Sequence, residues 1–254
     1  MATLTELTTK NHKSFKISPR AHIKYAAKQH VINLNAIEIA HGATCFPIFI
    51  TRNTQNGAWA VSAMTSFEIE QNLFVEKGIW QSIFQPSNLR TYPLYLMKVA
   101  NGEKAYTIGF DAASDALNEI EGIPLFDDNG KATQHLSEIT KMLENQITDM
   151  QQTYEFGKTL EQLGLLRAID LHVIYQDGTV NVIKGLHTIN EDVLNSLEAD
   201  KLEKLHKLGY LSPIYAMLIS LFQLNSLLTK NNLIDGKPKV SNVKMEVAKD
   251  DTLI

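Results

Sequence analysis

The sequence predicts an α+β protein, with antiparallel β-hairpins in the N-terminal half packed with helices from the C-terminal half. Three observations carry that reading. Asx-Gly pairs stand between β-branched or aromatic runs at Asn56-Gly57, Asn101-Gly102 and Asp177-Gly178. Apolar residues recur every three or four positions from Gln134 to Glu155. Capping residues stand ahead of helix-like runs near Asn190, Asp200 and Ser212.

Taken in order, residues 1–20 are polar, with a break at Ser18-Pro19, and read as an extended arm. Residues 21–232 read as one domain, and the polar stretch 233–254 as a flexible tail with little to offset its ordering entropy. An Asn-Gly pair supplies the positive φ angles of a two-residue type I′ turn. That register sets Ile50 opposite Ala63 and Thr54 opposite Trp59. The pair at 101–102 likewise sets Met97 opposite Tyr106 and Tyr95 opposite Ile108. The third hairpin, near 169–184, sets Val173 opposite Val182 and Tyr175 opposite Val180, with His172, Ile174 and Gln176 on the other face.

The second half is helical. Leu136, Ile139, Leu143, Ile147, Met150 and Tyr154 form one helical face, and Gly157 and Gly164 read as punctuation beyond it. Asn190 caps the helix beginning Glu191-Asp192, whose acids suit a first turn. Asp200 with Glu203 reads as a capping box, and Gly209 as the left-handed residue ending that helix. Ser212-Pro213 reads as N-cap and first turn of the last helix. On its wheel Ser212, Ser220, Gln223, Ser226 and Lys230 gather on one strip that reaches water or a partner, which leaves self-association open.

Composition narrows the function classes. The 254 residues are 44% hydrophobic and 20% charged, which excludes a fibrous repeat or a disordered chain. A net charge of −4 and the lack of a dense Lys/Arg run point away from nucleic acid. The single cysteine, Cys45, excludes an intrachain disulfide and suits a reducing cytoplasm. The N-terminus has no apolar run of signal-peptide length, so a cytoplasmic location is expected, with cell-surface association as the alternative. Leu211 to Leu228 is expected to be too short and too polar for a lone spanning helix of about 20 apolar residues.

No catalytic or metal motif stands out. The eight histidines are scattered without HxH or HExxH spacing, so no metal and no cofactor are expected. Cys45 precedes Phe46-Pro47 in a strand-like run and reads as a small buried hydrophobe. GxSxG, GxGxxG and GxxxxGK[ST] are all missing. Asp127-Asp128-Asn129-Gly130 reads as a solvated turn, since the late glutamate of a calcium loop is absent.

One stretch, Asn72 to Pro93, is too irregular for a clean helix or strand. It combines Trp80, Phe84 and Tyr92 with Arg90 and two asparagines. Arg90 can grip a carboxylate or phosphate, Trp80 and Tyr92 can stack, and Asn72 can fix the loop or recognise an amide. These four are the candidate contact residues. A dispersed enzymatic site from Glu38, His41 or Glu76 with Arg90 is the alternative.

The same stretch, NLFVEKGIW followed by PSNLRTYP, resembles the signature of the SapC-like family of bacterial proteins. Colinear agreement continues at IGFD (108–111), GIPLFDDNG (122–130), LGLL (163–166), YQDGTVNVIKGLHTIN (175–190) and LGYLSPIYAMLISL (208–221). The resemblance implies an accessory or binding role beside a flavin-dependent halogenase-like or cupin-like enzyme. The family's name implies a surface-layer structural protein as the alternative. It supplies no catalytic residues. The permease label carried by relatives conflicts with a chain lacking multiple spanning helices.

Overall fold

The computed structural model describes residues 4–53, 57–99 and 106–249. The chain opens with β1 (Leu4–Glu6), α1 (Thr9–His12), β2 (Lys16–Ile17), α2 (Ala21–Ala26) and β3 (Val31–Leu34). A 3-10 turn, Ala36–Glu38, leads into α3 (Ile39–Gly42), β4 (Ile48–Arg52), β5 (Trp59–Met64), β6 (Val75–Glu76) and β7 (Ile79–Trp80). Next come α4 (Ser87–Thr91), β8 (Leu94–Lys98), β9 (Tyr106–Asp111), β10 (Leu117–Asn118), β11 (Ile123–Pro124) and α5 (Gln134–Gln162). Then follow β12 (Leu166–Tyr175), β13 (Val180–Ile189), α6 (Glu191–Asn195), α7 (Ala199–Lys207), α8 (Leu211–Ser220), α9 (Gln223–Leu233) and β14 (Val240–Val247). The fold is α+β.

These elements group into two compact units. The first takes Met1–Ala26, Lys77–Trp80 and Ser87–Thr148. It holds two three-stranded sheets, ordered β1-β9-β8 and β10-β2-β11, around buried Ile17, Leu94, Phe110, Leu125, Leu136 and Leu143. The second takes Ala27–Glu76, Gln81–Pro86 and Asp149–Ile254. Its six-stranded antiparallel sheet runs β14-β12-β13-β4-β5-β3. Phe46, Ile48, Ile50, Phe156, Leu171 and Val173 are fully buried there.

All three predicted hairpins pair antiparallel, yet each register differs from the two-residue-turn expectation. In β4–β5, Ile48 and not Ile50 stands opposite Ala63, and Arg52 and not Thr54 faces Trp59. The connection is therefore longer than Asn56-Gly57 alone; residues 54–56 lie outside those described. In β8–β9, Met97 faces Thr107 and Tyr95 faces Gly109, one residue from the expected pairs. Asn101-Gly102 itself lies outside the described residues.

The third turn shows why a register slips. The Gly178 N–H donates to the Tyr175 carbonyl, and the Tyr175 N–H to that of Thr179. Gly178 has φ +86°. That is a three-residue loop with a left-handed glycine, not a type I′ pair. His172 thus faces Val182, and Val173 faces Asn181. Further on, Lys184 and Gly185 together face Asp170, a bulge that Gly185 accommodates at φ +77°. Leu171 and Val173 stay buried, while Val180 and Val182 are exposed.

Two helical expectations change. Gly157 does not end the long helix, which runs on to Gln162. A Cβ at 157 would sit 2.7 Å from the Cβ of Trp59, so glycine permits close backbone approach there. Met150 and Tyr154 are exposed although they fall on the predicted apolar face. The helix contributes to both units: Leu136, Ile139 and Leu143 are buried in the first, Phe156 and Leu160 in the second. A single stripe cannot serve both tasks.

Caps vary likewise. Asn190 accepts from the Val193 N–H as expected, and Gly209 ends α7 at φ +73°. By contrast α7 starts after Glu198 with no side-chain cap, leaving Asp200 in the first turn. Tyr210 and not Ser212 is the N-cap of α8. Asp127 closes its turn as predicted, its Oδ1 accepting from the N–H groups of Asn129 and Lys131.

The two ends are more ordered than their polarity implies. Leu4–Glu6 pairs along β9, and Lys16–Ile17 pairs with β10 and β11. Val240–Val247, expected in the flexible tail, lies along β12. The period-two spacing of Val243, Met245 and Val247 is the signal for that strand.

Candidate functional site

The four residues singled out in 72–93 occupy different settings. Asn72 is buried, and its Oδ1 accepts from the Phe74 N–H at 2.9 Å, a turn-fixing bond. Trp80 is half-buried at the end of β7. Arg90 is exposed on α4 between buried Leu89 and Thr91. It makes no hydrogen bond or ion pair among the described residues. Of the dispersed alternative, Glu38 closes a capping box with Asn35, and His41 lies stacked 6.1 Å from Phe84. Glu38, His41 and Glu76 belong to the second unit, Arg90 to the first.

Tyr92 belongs to an aromatic cluster that single-residue reading could not foresee. Its ring stacks on Tyr25 at 4.1 Å and 13°, and meets Tyr95 edge-on at 6.2 Å. Its hydroxyl bonds the Ser114 Oγ at 2.7 Å. Burial, then the neighbouring Tyr92, pushes the Tyr25 hydroxyl above its ordinary value. Burial pushes Tyr95 up further, reinforced by Tyr25, Tyr92 and Asp111. Phenols with raised pKa stay protonated through the neutral range.

The second unit carries a cleft of about 740 Å³ whose lining includes His30, Arg52, Asp170, His172, Lys184 and Glu246. Arg52 is already engaged: it ion-pairs with Glu161 at 2.6 Å and lies 3.6 Å over the Trp59 ring. Burial lowers the pKa of His30, favouring its neutral form. None of the four candidate contact residues from the sequence, nor Glu38, His41 or Glu76, lines this cleft. Among the described residues no group of three His, Cys, Asp or Glu side chains is placed to hold a metal.

The most distinctive surface lies on the last two helices. Ser220, expected on an outward polar strip, is fully buried and its Oγ accepts from the Ile48 N–H at 3.0 Å. The exposed strip carries Tyr215, Ile219 and Phe222 instead, with 49%, 64% and 75% of their surface in water. Their i, i+4, i+7 spacing gives one face. The signal was present: the wheel position shared by Ser212 and Ser226 also holds these three. Ile214, Met217, Leu224 and Leu227 are buried on the opposite face. By length and composition Leu211–Leu233, 23 residues with an 18-residue window of mean hydropathy 1.4, is long and apolar enough to cross a bilayer, contrary to the expectation. The structure breaks it into α8 and α9 at Leu221-Phe222.

The described residues thus form an α+β protein with an exposed apolar row on its last helices. The SapC family model matches residues 7–227, and the chain belongs to that family. No curated protein and no solved structure matches it.

Proposed function

We propose that this SapC-family chain is an accessory protein that binds a protein partner through Tyr215, Ile219 and Phe222, the partner being a flavin-dependent halogenase-like or cupin-like enzyme. The observation that carries the reading is the exposed apolar row itself. Large apolar side chains in contiguous exposed rows favour association, because covering them removes apolar surface from water. A protein partner suits the row better than lipid. Beyond Phe222 the outward positions Asn225, Ser226 and Thr229 are exposed and polar, and the next exposed apolar side chain is Leu233 at the end of α9. Helices that lie on membranes carry Lys and Arg along the polar face, whereas α8 has none and α9 only Lys230. Arg90 is a proposed second anchor, a guanidinium held on a short helix and available to a carboxylate. Trp80 and Tyr92 are proposed to stack beside it, and Asn72 to fix the loop.

Titration calorimetry of the full chain against each purified enzyme tests this. Ile219→Asp and Phe222→Asp are expected to weaken binding at least tenfold, as truncating a central apolar anchor costs about 2 kcal/mol or more. Arg90→Ala is expected to weaken binding while leaving unfolding cooperative; loss of folding would assign Arg90 a structural role. Unchanged affinity in both Asp variants, or equal loss of binding to lipid vesicles, would overturn the reading.

A further inference from the structure

A different surface carries a second interaction. β14 is the outer strand of the six-stranded sheet and, among the described residues, pairs only with β12. The Ala248 N–H donates to the Ala168 carbonyl at 3.1 Å. In an antiparallel ladder, hydrogen-bonded and non-hydrogen-bonded positions alternate. Asn242, Lys244 and Glu246 therefore turn their backbone groups to β12, whereas Val240, across a register shift, bonds the Asn232 side chain through its N–H and carbonyl. Val243, Met245 and Val247 turn theirs outward. Met245 is 39% and Val247 64% exposed.

The outward edge is self-complementary. Its residues read Val243-Lys244-Met245-Glu246-Val247. Laid antiparallel against a second copy and centred on Met245, Met245 meets Met245, and each Val243 meets a Val247. Each Lys244 meets a Glu246. The parity also fits: Met245 is an outward position, so it can exchange both backbone bonds with its mate. Lys244 and Glu246 then fall in non-hydrogen-bonded pairs, where side chains come closest.

We propose that β14 pairs antiparallel with β14 of a second copy of this chain, centred on Met245, so that a two-fold dimer shares one continuous sheet. Within the single chain, Asp170 stands opposite Glu246, and like charges facing across a ladder are unfavourable. The second copy sets its Lys244 beside that carboxylate pair. Lys244 already reaches Glu246 along its own strand at 2.7 Å, so both charges lie on the face where they would cross over. Other registers lose this match. Centring on Lys244 sets Lys244 against itself, and centring on Val243 sets Glu246 against Val240. The charges that commonly blunt an edge strand here select one partner. Within the 243–247 stretch the Val243 N–H, bonded to the Asn242 Oδ1 at 2.8 Å, is released on pairing.

Sedimentation equilibrium of the full chain provides the test. The wild-type chain is expected to be a dimer, and Glu246→Lys a monomer, because two Lys then face two Lys. Combining Lys244→Glu with Glu246→Lys is expected to restore the dimer, since the swap regenerates every opposite-charge pair. Met245→Pro is a second probe. It removes an outward N–H without touching the ladder to β12, and is expected to give a folded monomer. A wild-type monomer would overturn the proposal and leave the edge to a strand from another protein. So would a dimer that survives both single substitutions, or one lost in Glu246→Lys and not regained in the swap.

Discussion

The tyrosines of the first unit show how residue-scale chemistry follows from neighbours rather than from type. Tyr25, Tyr92 and Tyr95 come from α2, the α4–β8 link and β8, and meet ring to ring. Burial holds Tyr25 and Tyr95 in their neutral forms in the folded state. The unfolded chain ionises them near the ordinary phenol value of about 10. Their folded pKa values lie above that, so the stability they contribute is fully present below about pH 10 and is lost as pH rises further. Urea-unfolding midpoints measured from about pH 8 to about pH 11 should therefore fall, and Tyr95→Phe should flatten the fall. An identical slope in the variant would mean that Tyr95 ionises as freely folded as unfolded. None of this was legible in the sequence, where Tyr92 was one aromatic of an irregular loop and Tyr25 carried no signal.

At the scale of elements, type was legible and phase was not. The three Asx-Gly pairs marked where the chain doubles back, since few other dipeptides accept positive φ. They did not reveal loop length, and one residue of extra loop moves every partner. Gly178 in a three-residue loop displaces the Val173 pairing by one, and the bulge at Gly185 restores the expected register from Ile169 onward, while Leu171 and Val173 remain inward. The last helix failed in the same way. A wheel drawn on polar residues assigned Ser220 outward, because a hydroxyl was assumed to seek water. Instead it supplies the acceptor for the Ile48 N–H at the start of β4, and donates in turn to the Met217 carbonyl at 2.6 Å. Ser220→Ala should leave that buried N–H without an acceptor and destabilise the chain by about 1–3 kcal/mol in chemical denaturation. A change below about 0.5 kcal/mol would show that another acceptor replaces the hydroxyl. Gly157 is a third instance: its close approach to Trp59 is a tertiary fact that helix propensity cannot encode.

For the whole molecule, family membership and α+β class were both within reach of the sequence, because colinear motifs and hydrophobic period survive errors of register. The division into two units was not, since nothing in the sequence signalled that one helix, Gln134–Gln162, runs through Gly157 and buries residues in two interiors. The candidate contact surface was legible only in part. Arg90 stands exposed, whereas Tyr215, Ile219 and Phe222 were not among the residues read as the outward strip. That row is the proposed seat of a protein partner. Amide hydrogen exchange of the full chain, with and without a purified flavin-dependent halogenase-like or cupin-like enzyme, examines it most directly. Slowed exchange concentrated in 211–233 on adding one of these enzymes is the expected result. Exchange there that is unchanged while other segments become protected, or no protection anywhere with either enzyme, would contradict it.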